Sequence, residues 1–562
     1  MNMENYDLLF IKNPSIGKRA FRFEAMRWPC LLVLLANLFL TTPAEAIYGT
    51  CGNGLIEKFE QCDDSNSNSE DGCSSLCQKE GDDFPVMVFE SNDPPPIPDL
   101  EQLPLLDRVS QHGITWTFSE LVRVGRFVNG DYYVVGEVTI VDIQPLPTQS
   151  NGRNGSMLNI QPNIQRSGFD SRIQSGRYDP NLRVYPPIKL TPGNKLISSR
   201  SAEGSNPPAV MRPNDTSVSP VASISILTSV DSPQPLDAFR PSYAQGLTDI
   251  YLSRNLRRQL LPKLSPVKNV PSLSEFEGYL KRPWVDSVFF NFDVPAEYMA
   301  SYGRENGYLM SFTGLLLTLD YPSEQKEPLL VYLTQYGVDL YGLVKQGHTG
   351  WSAHGGHGSG RKFPIVFAGV MLNEEEMKSV QANFGEDMQT IWVSETPPQG
   401  TYTQSWHTHG ETVVYAGHVG INGESIQAGW GPYEHLAPSA WRGTLGESYR
   451  RCCTSVSWVG QALAARLIPG MKEAWNHPQF FAYVDRWMRS PDDPMDLETI
   501  QSATGMAIDA DFMQGQSWKI LSGGGYSKPY RSFVDEMWAT YWSSTLDTTL
   551  PPPPKNLKIF YW

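Results

Sequence analysis

The sequence predicts a multidomain chain: a small disulfide-rich repeat, a β-sandwich-like domain, then a mainly α domain of α/α-toroid-like build. Three observations predict this. Cys51, Cys62, Cys73 and Cys77 crowd into one short segment; β-branched alternation broken by Gly, Asn and Pro runs over 105–235; and from about residue 240 the apolar period becomes helical. At 562 residues the chain has room for several cores, since single domains rarely exceed about 250 residues.

Residues 1–46 read as a signal peptide. Lys18, Arg19, Arg22 and Arg27 precede the apolar run Cys30–Leu40, and Thr41-Thr-Pro-Ala-Glu-Ala46 supplies a small-x-small end, with cleavage expected after Ala46. An uncleaved signal anchor is the alternative. No later stretch is apolar enough to cross a membrane, so the expectation is a secreted or cell-surface protein with no transmembrane segment after cleavage.

Residues 47–80 hold the four clustered cysteines. In an exported chain they read as two disulfides around a loop-rich knot. Zinc is the competing reading, carried only by Cys73-x3-Cys77. The run Cys51-Gly-Asn-Gly-Leu-Ile-Glu57, Glu60-Gln-Cys62-Asp63-Asp64 and Asp71-Gly-Cys73-Ser-Ser-Leu-Cys77 resembles the cysteine-rich repeats common in myxobacterial and planctomycete exported proteins, and more loosely the Notch-type calcium-binding repeats. Lys58-Phe59 and Ser65 depart from the Pro-Gly and Gly usual there. The resemblance implies an extracellular accessory repeat, an attachment or spacer. Asp63, Asp64 and Asp71 could offer oxygens to calcium, or could form Asx-turns. No cofactor is required by the sequence; calcium is the one considered.

A proline-rich linker, 81–104, follows, with Pro94–Pro96 and Pro98. In the β-sandwich-like domain, 105–235, Val122–Val128 and Asp131–Val135 flank Asn129-Gly130, which predicts a hairpin with a type I′ turn. Val138–Ile143 and Ala222–Val230 are further strands, separated by a long loop rich in Asn, Ser, Gly and Pro. In the toroid-like domain, 240–548, helices are expected over 308–320, 324–344, 361–372, 445–468, 478–488 and 529–542, with Asn373 capping Glu374-Glu375-Glu376. A loop-rich insertion, 384–440, interrupts them. A plain helical bundle fits the same periodicity.

The net charge of −15 argues against a nucleic-acid partner, because phosphate binding needs a basic face. It leaves room for a locally basic cleft. Eight of the 9 histidines lie between His348 and His477, together with seven tryptophans. Imidazoles transfer protons near neutral pH and flat rings stack on sugars, so this window predicts an aromatic-walled polar cleft.

Two constellations carry the expected chemistry. In Trp351-Ser-Ala-His354-Gly-Gly-His357-Gly-Ser-Gly-Arg361, glycines ahead of a helix N-terminus could bind an anion, with Arg361 as a carboxylate clamp. A solvent loop is the alternative. In the second, Trp406-His407-Thr-His409-Gly-Glu411 precedes Tyr415, His418, Trp430 and Tyr433-Glu434-His435. His407, His409 and His418 could ligate a metal, or a His or Tyr could abstract a proton. His354, His357, Arg361, His407, His409, Tyr415, His418 and Glu434 are the catalytic candidates; Trp351, Trp406, Trp430 and Tyr433 are the substrate-binding ones. Glu305, Asp339, Glu411 and Glu434 are the acids available for hydrolysis. Adjacent Cys452-Cys453 read as two buried thiols.

In element order and in its His-, Tyr-, Arg- and Trp-rich loops the body resembles α/α-toroid polysaccharide lyases. The resemblance implies cleavage of an anionic polysaccharide by β-elimination. A glycoside hydrolase of the same architecture is the nearest alternative, and a non-catalytic extracellular carbohydrate-binding protein the next.

Overall fold

A computed structural model describes residues 51–69, 71–146, 154–160, 180–201, 221–285, 303–353, 355–393, 412–417, 449–450, 454–489 and 528–545. The expected signal peptide, His354, His407, His409, Glu411, His418, Glu434, Trp406, Trp430, Tyr433 and Cys452-Cys453 lie outside the described residues.

The four N-terminal cysteines form two nested disulfides, Cys51–Cys77 around Cys62–Cys73. All four thiols are consumed, which overturns the zinc reading. With almost no hydrophobic core, the module is organised by Asp63, whose carboxylate accepts the amides of Gly52 (2.9 Å), Asn53 (3.1 Å), Gly54 (2.8 Å) and Ser65 (2.8 Å). Burial works against that charge, yet the amides of Ser65, Gly54, Gly52 and Asn53 together hold Asp63 below the usual carboxylate range.

The segment after the module is anchored. Phe84 and Phe89 are buried, and Phe59 of the module stacks on Phe89 at 5.9 Å. The Gln61 side chain donates to the Pro85 carbonyl, and Ser75 Oγ to that of Gln102.

Eight strands follow: β1 (Leu105–Gln111), β2 (Ile114–Arg126), β3 (Tyr132–Val135), β4 (Val138–Gln144), β5 (Gly155–Leu158), β6 (Ile188–Leu190), β7 (Lys195–Ser201) and β8 (Val221–Val230). They make one sheet in the order β5-β7-β8-β3-β2-β4-β6, with β1 also on β2. A sandwich of two separate sheets was expected; instead the sheet curls. The reason is β2, 13 residues long, whose first half pairs with β4 and whose last residues pair with β3. Its register shifts at Thr117/Phe118, an irregularity of the kind that bends a strand.

The curl encloses Trp116, Phe118, Val124, Ile140, Leu196 and Leu227. Side chains alternate along a strand, so neighbouring Ile197 and Ile226 face outward. They join the core of the helical half, with Phe239, Tyr243 and Tyr336.

The expected hairpin is present, but its turn differs. Gly130 alone has positive φ (+88°), the Gly130 amide donates to the Phe127 carbonyl at 2.8 Å, and the Phe127 amide to that of Asp131 at 2.9 Å. This is the longer loop ending on a left-handed glycine, not a two-residue type I′ turn. The turn is tied elsewhere: the Asp131 carboxylate receives Arg240 Nε at 2.6 Å.

The C-terminal half is mainly helical. Its elements are α1 (Leu273–Leu280), α2 (Gly303–Leu317), α3 (Ser323–Lys345), β9 (Gly350–Trp351), α4 (Ser359–Leu372), α5 (Glu375–Lys378), β10 (Asn383–Phe384), α6 (Gly385–Gln389), β11 (Thr390–Val393), β12 (Thr412–Tyr415), α7 (Ser455–Leu467), α8 (Met471–Trp475), α9 (Pro478–Arg489) and α10 (Lys528–Tyr541). Within the insertion, β11 pairs antiparallel with β12. α2 packs on α7, and α3 on α4. The second pair approaches so closely that a Cβ on Gly337 would lie 2.1 Å from the Pro364 carbonyl oxygen. Asn373 does not begin α5: at φ 61° it ends α4 in the left-handed conformation, and Glu374 takes the N-cap position. Among the described residues no helix is long and apolar enough to cross a membrane.

Arg240 binds the two halves. Besides Asp131, its guanidinium donates to Asp339 of α3 at 2.5 Å, and all three side chains are buried. Burial pushes Asp339 up to about 6 against the pull of Arg240.

Candidate functional site

The glycine-rich loop ahead of α4 is filled by a side-chain carboxyl of the protein itself. Glu386, in the first turn of α6, points both oxygens at the loop. Oε1 accepts the amides of Gly356 (2.6 Å) and Gly358 (3.3 Å), and Oε2 accepts that of Ser359 (2.7 Å). Unpaired amides at a helix start attract negative charge, and here an internal carboxylate meets them. A Cβ on Gly358 would lie 2.3 Å from Glu386 Oε2, so the contact requires glycine. Burial pushes Glu386 up to about 8, against the amides of Ser359 and Gly356.

This contact positions two candidates. His357 lies between the bonded amides, and Arg361 Nη1 donates to the His357 carbonyl at 2.9 Å. Both side chains are fully buried. Next to Arg361, Lys362 pairs with Asp387, the neighbour of Glu386, and lies over the Trp475 ring.

From the loop a ring of contacts closes on itself. Ser457 Oγ of α7 donates to the Gly355 carbonyl at 3.4 Å. Two residues earlier, Ser455 Oγ shares a hydrogen bond of 2.8 Å with the Tyr483 hydroxyl of α9. Arg450 Nη1 donates to the same hydroxyl at 3.4 Å. The Tyr483 ring packs 6.2 Å from Tyr415 of β12, and Gln389 of α6 donates to the Tyr415 hydroxyl at 3.4 Å. Gln389 is one turn from Glu386, which returns to the loop. α2 borders this ring: Arg304 Nη2 donates to Glu305 Oε1 at 3.1 Å, both side chains are buried, and Asn306 abuts Gly360.

Contacts through Glu386 and Gln389 thus run from the loop that carries His357 and Arg361 to Tyr415. Trp351 is placed differently. It is buried, stacked on His348 at 4.2 Å and on Phe384 at 5.9 Å, so packing occupies the ring that was expected to face a sugar. His477 bonds the Thr390 carbonyl and hydroxyl through Nε2. Sequence reasoning missed Glu386, Gln389, Arg450, Ser455 and Tyr483. Glu386 had a usable signal, an acid beside glycine inside the insertion 384–440; Tyr483 sits in an ordinary amphipathic helix and had none.

The calcium candidates do not converge. Asp64 Oδ1 accepts the Asn66 amide and Asp71 Oδ2 the Asn66 side chain, while both Asp63 oxygens serve amides. The carboxylate beside Asp63 is Glu60, with Cys77 completing the group. The Cys77 sulfur is in a disulfide and is no thiolate ligand.

Residues 46–78 match a family model described as a domain of unknown function, DUF4215. They form a DUF4215 cysteine-rich repeat-type domain. No curated protein and no solved structure matches the chain. The DUF4215 domain accounts for the N-terminal module alone.

Proposed function

We propose that this chain is an extracellular carbohydrate-active enzyme that cleaves an anionic polysaccharide by β-elimination. The observation that carries the reading is the Tyr483 hydroxyl, which accepts from the Arg450 guanidinium and shares a hydrogen bond with the Ser455 hydroxyl. A hydroxyl so placed can take up and pass on a proton. In elimination, a base removes the proton on the carbon next to a uronate carboxylate. The electron pair forms a carbon–carbon double bond, the glycosidic C–O bond breaks, and the departing oxygen takes a proton. Tyr483 is assigned the abstraction, Arg361 and Arg450 the neutralisation of the carboxylate, and Tyr415 or His357 the proton for the leaving oxygen; all five side chains are buried, so the reading requires them to become accessible to the polymer. The paired packing of α2 with α7 and α3 with α4 supports a toroid-like arrangement. The disulfide-bonded start supports an oxidising, extracellular location.

Hydrolysis is the second reading, favoured by one observation: Glu386, pushed up to about 8, is a carboxyl able to donate a proton at neutral pH. The two separate in one assay. Incubation with uronate-containing polymers yields an unsaturated, ultraviolet-absorbing product if elimination occurs. New reducing ends without that absorbance mean hydrolysis, and binding without depolymerisation across the panel means neither.

A further inference from the structure

Where the DUF4215 module meets the sheet, a cleft of about 540 Å³ is built from both sides. Glu60, Ser67 and Leu76 come from the module, and Gln102, Leu106 and Arg123 from the sheet side. The volume falls in the range of small-ligand sites, about 300–1,000 Å³. The two walls are held in register: Ser75 Oγ donates to the Gln102 carbonyl at 3.3 Å, and Leu76 packs against the cluster of Leu103, Phe127 and Tyr133.

We infer that this cleft binds a neutral, hydroxyl-rich ligand, a sugar residue of a neutral glycan. Its lining mixes donors and acceptors over apolar carbon from Leu76 and Leu106, which suits a ring that presents hydroxyls at its edge and C–H groups on its faces. Charge then decides the class. Arg123 Nη1 donates to the carbonyls of Glu101 (3.0 Å) and Leu103 (2.5 Å), which fixes the one cation of the lining against its wall. Glu60 is buried, with Oε2 accepting the Glu57 amide at 2.7 Å and Oε1 without a hydrogen-bond partner among the described residues. Glu60 and Glu101 outnumber Arg123 in the lining, a negative balance that disfavours uronates and sulfates, while Ser67, Ser69 and Gln102 offer neutral partners to hydroxyls. The site is independent of the elimination chemistry proposed above, and it makes the module half of a binding cleft.

Titration calorimetry on the full chain tests this with cello-, malto- and chito-oligosaccharides, an oligouronate and an aliphatic diamine. One neutral series should bind, and Ser67→Phe, which fills the cleft from the module side, should weaken it at least tenfold. Glu60→Gln should also weaken it, and Leu106→Phe should repeat the Ser67→Phe loss from the sheet side in a chain whose module is unaltered. The inference is overturned if no neutral series binds, if binding survives both filling substitutions, or if the oligouronate or diamine binds with the same sensitivity to them.

Discussion

Glu386 Oε2 accepts the Ser359 amide at 2.7 Å, so a carboxylate from α6 closes the start of α4. A glycine-rich loop before a helix is ordinarily read as a place for a ligand's anion. In this protein the loop is fixed by its own carboxyl group, and its chemical value lies in what it holds still: His357 and Arg361.

The Glu386 contact predicts a pH dependence. Its folded-state pKa is raised from 4.5 to about 8, so its contribution to stability is complete below 4.5 and is lost as pH rises through 8. Denaturant unfolding at stepped pH should show stability falling across that window in the wild type and a flatter profile for Glu386→Gln. Asp339, raised to about 6, adds slope in the lower half of the window in both proteins. Parallel profiles would contradict the assignment.

Arg240 should be among the most sensitive positions in the chain. Arg240→Met leaves Asp131 and Asp339 buried without their cation, and breaking a buried pair this way costs about 3–5 kcal/mol. Replacing all three by apolar residues of similar volume should cost far less. Denaturant midpoints of the single and triple variants give the comparison.

Gly337→Ala should destabilise by about 1–3 kcal/mol, because the added methyl meets the Pro364 carbonyl carbon and oxygen rather than a movable side chain. Alanine is the better helix former, so a gain in thermal stability would mean that α3 and α4 separate easily.

Much of this fold was legible. The positions of β2, β3, β4, β8 and the longer helices followed from apolar period, and the disulfide module from cysteine density, whereas β5, β6 and β7 lie where one long loop was expected. The misses share a cause: each depended on a partner distant in sequence. Asn129-Gly130 specifies a turn locally, but Asp131 is pinned by Arg240, and the loop takes the geometry that permits it. Asn373 is a good N-cap by type, yet the chain needed a left-handed residue to end α4. Trp351 stood among glycines like an exposed ring and is core, because β9 pairs with β10 and brings Phe384 onto it. Glu386 is separated from Ser359 by 27 residues, a distance no local pattern spans.

Within the DUF4215 module, the double variant Cys62→Ser/Cys73→Ser should lose about 2–4 kcal/mol of local stability. Hydrogen exchange should show the Gly52, Gly54 and Ser65 amides losing protection as Asp63 moves, while β7 and β8 keep theirs.

Release of an ultraviolet-absorbing unsaturated product from a uronate polymer, compared between wild type and Tyr483→Phe, tests the proposed chemistry most directly. Removing one hydroxyl that takes part in proton transfer should lower the rate by about 10²–10⁴-fold, while losing its buried bonds to Ser455 and Arg450 costs about 1–3 kcal/mol of stability. A Tyr483→Phe protein that eliminates at the wild-type rate, or a wild type that produces no absorbance from any such polymer, would contradict it.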